Sequence, residues 1–159
     1  ALLHDVGKID EQFARILAKE GRLTPDEWET MKRHPVRSAE LVGMLTSLKD
    51  IVPAVRHHHE NWDGTGYPQN LKGEDIPLGS RIIMFADTLD AITTDRPYRK
   101  ALSIEDARSE FVKFRGKQFD PWICDRVVSP EVWLELYASI EKERESEALR
   151  YAAGKTKAS

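Results

Sequence analysis

Apolar residues recur along this chain at three- and four-residue intervals, and no two-residue alternation is long enough to build a sheet, so the pattern predicts an all-α fold. Thr24-Pro25-Asp26-Glu27 combines an N-cap hydroxyl, a proline at the first helical position and a capping-box glutamate, and opens a helix that runs towards Arg33. His34-Pro35 interrupts it. A second amphipathic stretch follows with Val36, Ala39, Leu41, Val42 and Leu45, and a third covers 48–58 despite Pro53 near its start. Over 60–79 the periodicity fails, and Gly64, Gly66, Pro68, Gly73, Pro77 and Gly79 gather. A loop of that length inside a compact domain signals function or disorder, and Trp62, Tyr67, Leu71 and Ile76 favour an ordered, functional one. Beyond it, Ile82, Phe85, Ala86, Leu89 and Ile92 form the buried stripe of a helix over 80–94, whose other face carries Asp87 and Asp90. Ser103-Ile104-Glu105-Asp106 opens a helix that stops at Gly116, and Ser129-Pro130-Glu131 opens the last. The last helix turns polar after Ile140. Residues 1–140 are therefore expected to form one domain, and 141–159 a polar helical extension with a frayed tail from Gly154.

Composition narrows the function. With 159 residues, 40% hydrophobic and 32% charged, the chain has the balance of a single domain able to bury a core. No apolar run approaches the roughly 18–20 residues of a bilayer span, and no signal peptide opens the chain. The single cysteine, Cys124, excludes an internal disulfide framework and a multi-cysteine zinc site, and fits a reducing, cytoplasmic setting. A net charge of −3 argues against a DNA or RNA polymer as partner, so cations for a phosphate ligand must be concentrated locally.

His4, Asp5, His34, His58, His59 and Asp87 stand out as a set rich in imidazole and carboxylate and poor in thiol. Such donors suit iron or manganese, with zinc also compatible, and six of them exceed the needs of one tetrahedral ion. Taken singly, each has a commonplace structural explanation; order and spacing are what single them out. His4-Asp5-Val6-Gly7-Lys8 sets two ligand types side by side, then a glycine that lets the backbone turn, then a cation within reach of whatever the metals bind. His57-His58-His59-Glu60 supplies imidazoles at a helix end beside the glycine-rich loop. Neighbouring helical side chains point about 100° apart, so His57 is set aside.

These residues resemble a known family. His4-Asp5-Val6-Gly7-Lys8, His58-His59-Glu60-Asn61-Trp62-Asp63-Gly64-Thr65-Gly66-Tyr67-Pro68, Ala86-Asp87 with Asp90-Ala91, and Arg96-Pro97-Tyr98-Arg99 occur in the order found in HD-GYP domains of the HD phosphohydrolase superfamily. Gly116 and Phe119-Asp120-Pro121 extend the match over roughly residues 1 to 128. The resemblance implies an all-α, HD-type helical bundle with a long ordered loop carrying the Gly-Tyr-Pro motif, and a bacterial signalling role in hydrolysing cyclic di-GMP to pGpG, GMP or both. It makes His4, Asp5, His34, His58, His59 and Asp87 ligands of two or more divalent ions, Lys8 a phosphate contact, and Asp90, Arg96 and Arg99 contacts to the nucleotide. It further implies a histidine, in some members with a glutamate, on a helix ahead of His4, and a sensor or receiver domain preceding this one; a homodimer is compatible with it.

The chemistry this points to is metal-assisted phosphodiester hydrolysis, in which two close divalent ions activate water and neutralise phosphate oxygens while Asp5 and Lys8 serve the reacting centre. Arg96 and Arg99 bracket a rigid Pro97-Tyr98 and offer two guanidinium forks to a phosphate or a guanine edge. Two rivals stay open: a catalytically degenerate module that binds cyclic di-GMP or a partner protein without turnover, and the same chemistry on another cyclic dinucleotide.

Overall fold

Side-chain caps at Thr24, Ser103 and Asp120 open three of the helices. In the computed structural model, which describes residues 2–19, 21–95 and 100–156 (147, 148 and 151–156 by backbone alone), eight α-helices follow one another. They are α1 (Glu11–Leu17), α2 (Pro25–Met31), α3 (His34–Gly43), α4 (Val52–Arg56), α5 (Leu78–Thr93), α6 (Ile104–Lys113), α7 (Pro121–Val127) and α8 (Pro130–Thr156). Short 3₁₀ segments occupy Val6–Ile9, Thr46–Ile51 and Gly73–Asp75, and among the described residues the one β-type pairing is an isolated bridge between Arg115 and Phe119. The fold is all-α, as the periodicity predicts.

At α2 the capping box is complete: the Thr24 hydroxyl accepts from Glu27 N–H and the Glu27 carboxylate accepts from Thr24 N–H. Ser103 caps α6 without a box: its hydroxyl accepts from Asp106 N–H and donates to the Asp106 carboxylate. The expected third helix over 48–58 is divided in two, because Pro53 has no N–H to give and fits only the first turn of α4. Residues 57–59 consequently lie in a turn after α4. Two helices escaped the periodicity: α1 and α7 span seven residues each, too few to display a face. The last helix continues past Gly154 to Thr156 and carries an anchor beyond Ile140, where the Arg144 guanidinium donates to the hydroxyls of Thr93 and Thr94 at the end of α5.

Two interiors result. One, built from α5 to α8, stacks Phe85 on Phe111 at 3.9 Å between ring centroids and closes around Phe119, Ile123, Cys124 and Trp133. Asp120 fixes this half, capping α7 through Trp122 N–H and receiving the Arg81 guanidinium of α5 at 2.6 Å. The other is small and aliphatic, with Ala39, Val42 and Val55 packed by Leu3, Val6, Leu48 and Val52. Gly7 lies directly against α3. A Cβ there would come within 2.6 Å of Ser38 N, and Gly7 N–H donates to the Ser38 hydroxyl at 2.9 Å. Its backbone is not left-handed, so close approach, not freedom to turn, is what requires glycine here.

Candidate metal centre

Four separate segments deliver the expected ligand residues to one place. His4 and Asp5 come from the turn ahead of Val6–Ile9, held to α3 by Gly7; His34 is the first residue of α3; His58 and His59 follow α4; Asp87 lies in α5. Ser80 of α5 donates to the Ala54 carbonyl of α4 at 3.0 Å, which aligns the histidine turn with the helix that carries Asp87. His34, His58 and His59 each offer an atom within 4.8 Å of the others, as do His4, Asp5 and His58. Asp87 joins through His4, with Oδ1 3.4 Å from the His4 Nε2. All six predicted ligand residues are thereby brought together.

The hydrogen bonds behind the cluster decide what it can do. His34 Nδ1 donates to the Met31 carbonyl at 2.7 Å and His58 Nδ1 to the Val55 carbonyl at 2.6 Å. With Nδ1 protonated, each ring's Nε2 holds a lone pair, and the two Nε2 atoms face each other at 3.4 Å in full burial. Two buried lone pairs at that distance repel unless a cation lies between or beside them. Asp5 completes the picture: Oδ1 is buried without a hydrogen bond, 3.2 Å from His34 Nε2 and 3.8 Å from His58 Nε2, while Oδ2 lies 3.6 Å from His4 Nε2 and accepts from Lys8 Nζ at 2.6 Å. One carboxylate thus addresses both groups of imidazoles. An orphaned carboxylate oxygen among unprotonated ring nitrogens is the donor set of a borderline divalent ion.

Protonation states agree. Burial, together with the nearby His34 and His4, lowers His58 to about 4, and burial beside His58 lowers His59 to about 3, so both rings are neutral near pH 7. Burial would raise the Asp5 carboxyl, but the Lys8 ammonium bonded to it, with His4 nearby, acts the other way and keeps the group below the ordinary carboxylate range. The His4 bond lowers Asp87 as well. Neutral imidazoles and ionised carboxylates are the forms that ligate.

His57 does not join the cluster; its ring bonds the Pro53 carbonyl through Nδ1 and the Gln69 side-chain amide through Nε2. Buried Glu60 organises the glycine-rich loop instead, its carboxylate accepting from Gln69 N–H at 2.6 Å and Leu71 N–H at 3.1 Å. At Gly66 a Cβ would overlap the main chain of Glu60 and Asn61, so only glycine lets the loop fold back onto the histidine turn. This brings Tyr67 over His59, the rings stacked with centroids 5.0 Å apart. A cleft of about 630 Å³ opens there, reaching His59, Asp87 and Tyr67 and walled by Trp28, Lys32, Asn61 and Gln118. None of those four residues stands out for chemistry in the sequence, although Trp28 on α2 and Lys32, the residue that ends α2, are four apart and fall on one side of the turn. Asp90 lies further along α5, exposed, lining a second cleft of about 870 Å³ with Arg144. That larger cleft holds none of the clustered imidazoles, so the smaller one is the approach to the candidate centre. Arg96 and Arg99 lie outside the described residues.

Comparison with known proteins places the chain in a family. The model of a family described as HD domain matches residues 1–123. A probable cyclic di-GMP phosphodiesterase of Vibrio cholerae is 40% identical over 139 residues, 82% of this chain and 31% of that protein. A 3'3'-cGAMP-specific phosphodiesterase of the same organism is 36% identical over 141 residues, 86% of this chain and 26% of the relative. The crystal structure of a cyclic GMP-AMP-specific phosphodiesterase of Vibrio cholerae shares the fold, with a TM-score of 0.59 at 24% identity over 86% of this chain and 36% of that one. The chain spans about a third of the length of the curated relatives it matches. No helix among the described residues is long and apolar enough to cross a membrane.

Proposed function

The chain belongs to the HD domain family, and we propose from that premise that it is a metal-dependent phosphodiesterase that hydrolyses cyclic di-GMP to linear pGpG, GMP or both. The observation that carries the reading is the pair of Nε2 lone pairs of His34 and His58, fixed 3.4 Å apart by their carbonyl bonds with the orphaned Asp5 Oδ1 beside them. His4, Asp5, His34, His58, His59 and Asp87 hold two divalent ions, iron or manganese before zinc. When bound, such ions supply Lewis acidity towards water and the phosphoryl oxygens. Asp5 offers one oxygen to each group of imidazoles and would serve both. Lys8, held by Asp5 at 2.6 Å, meets the charge that builds on the phosphoryl group. Tyr67 keeps its proton, because burial and the nearby Asp5 and Asp87 raise its phenol, and it serves as wall and donor, not as nucleophile. Asp90, Arg96 and Arg99 contact the nucleotide further out.

The test is reconstitution with manganese or iron, incubation with cyclic di-GMP and chromatographic separation of products. Linear pGpG or GMP is expected; binding without turnover under every metal tried would replace the enzyme by a binding module. A second reading keeps the site and changes the substrate to 3'3'-cGAMP, which the relative specific for that dinucleotide favours. Parallel incubation with both dinucleotides separates the two.

A further inference from the structure

The wall of the 630 Å³ cleft carries groups that the hydrolytic reading leaves idle. The segment after the histidines is clasped to the loop between α6 and α7 by two main-chain bonds, Trp62 N–H to the Gln118 carbonyl at 3.2 Å and Asp63 N–H to the Lys117 carbonyl at 2.8 Å. Asn61, beside this clasp, and Gln118, within it, both line the cleft. Their amide orientations follow from what they bond. The Thr65 hydroxyl donates to Asp63 Oδ1 at 2.6 Å, so towards Asn61 it can only accept, and it takes Nδ2 at 3.0 Å. Gln118 Nε2 is engaged with the Thr88 hydroxyl at 3.2 Å and the Met84 sulfur at 3.3 Å. Gln118 spends both N–H groups of its amide inside the protein and Asn61 one of its two, and among the described residues neither Asn61 Oδ1 nor Gln118 Oε1 receives a hydrogen bond. Beside them Trp28, 47% exposed, meets Tyr67 edge-on at 6.2 Å and leaves apolar ring surface unburied in the cleft.

Resting on the dinucleotide reading above, we propose that this wall is a base-reading subsite selective for guanine. Asn61 Oδ1 and Gln118 Oε1 accept from the ring N–H and exocyclic NH₂ of guanine, and the Trp28 indole packs against the base. Adenine presents an unprotonated ring nitrogen and a C–H at the corresponding positions, so it leaves both acceptors unpaired. The placement fits the chemistry of the neighbouring centre: a phosphodiester at His59 and Asp87 leaves one attached nucleoside to occupy the rest of the cleft.

The experiment is a calorimetric titration of the metal-loaded chain with cyclic di-GMP and, separately, cyclic di-AMP, repeated for Asn61→Leu, Gln118→Leu and Gln118→Glu. The guanine dinucleotide should bind at least about tenfold more tightly than the adenine one. Each leucine variant should pull that ratio towards one, and Gln118→Glu, which keeps an acceptor, should preserve it. Should Gln118→Leu disturb the Thr88 contact and fail to fold, Asn61→Leu carries the test, since its amide bonds only the exposed Thr65 hydroxyl among the described residues. Equal affinity for the two dinucleotides, no affinity for either, or a full ratio retained in both leucine variants would overturn the subsite. Because the readout is a binding ratio, a chain that discriminates without hydrolysing would sink the phosphodiesterase reading and leave the subsite standing. One that hydrolyses both dinucleotides equally would do the reverse.

Discussion

Phe111 and His58 are each fully buried, yet the two interiors they occupy are held together in opposite ways. Around Phe111, rings of Phe85, Phe119 and Trp133 fill space with carbon, and every contact is favourable as it stands. Around His58, an imidazole stripped of water faces another imidazole's lone pair and an ionised carboxylate oxygen with no donor. Burial there costs stability until a cation arrives. One helix serves both interiors: α5 gives Met84, Phe85 and Leu89 to the first and Asp87 to the second. The aromatic half is a scaffold whose stability allows the other half to be left incomplete.

The largest expected effect of a single substitution tests the scaffold. Phe111→Ala should cost about 3–5 kcal/mol in chemical denaturation, while a chain kept folded at low temperature still binds metal. Loss of metal with the fold intact would mean that the two interiors are not separate. Next is the response to metal itself. Saturation at about 100 times the Kd should stabilise the chain by about 2.7 kcal/mol, read as a rise in denaturation midpoint, and His58→Leu should abolish that rise. A rise that persists in His58→Leu would place the ions elsewhere.

Acidification should distinguish the halves more finely. Unfolded imidazoles take up protons near pH 6.5, whereas folded His58 and His59 do so only near 4 and 3. Between those values the unfolded chain binds more protons, so the metal-free protein should lose stability as pH falls from about 6.5 towards 4, by up to about 1.4 kcal/mol per pH unit for each ring. Denaturation midpoints across that window check it, and a flat profile would contradict neutral burial of the two rings. Smallest is Thr24→Ala at the cap of α2, about 1 kcal/mol of stability, with no change in the number of ions bound because the cap touches neither interior.

What could be read in advance was local. The capping box at Thr24, the cap at Ser103 and the buried stripe of α5 are written in consecutive residues, and the candidate ligands cluster in short runs such as His4-Asp5 and His58-His59. The resemblance to HD-GYP domains joined the distant His34 and Asp87 to those runs, but the contacts that bring the segments together were invisible. The fit of Gly7 against α3, the grip of Glu60 on the loop and the pairing of Asp120 with Arg81 arise from contacts across 31, 9 to 11, and 39 residues. Gln118 is held at the cleft by the main-chain bond from Trp62 and by its amide's bonds to Thr88 and Met84, relations with no signature in spacing.

The account stands or falls on whether the imidazole and carboxylate cluster is a metal centre. Equilibrium dialysis of the folded chain against manganese, followed by elemental analysis, measures this directly, with Asp5→Ala as the comparison and circular dichroism as the control for folding. The account predicts about two ions per chain, sharply reduced in Asp5→Ala at unchanged helical content. A folded wild-type chain that retains no metal, or an Asp5→Ala chain that retains the full complement, would contradict it.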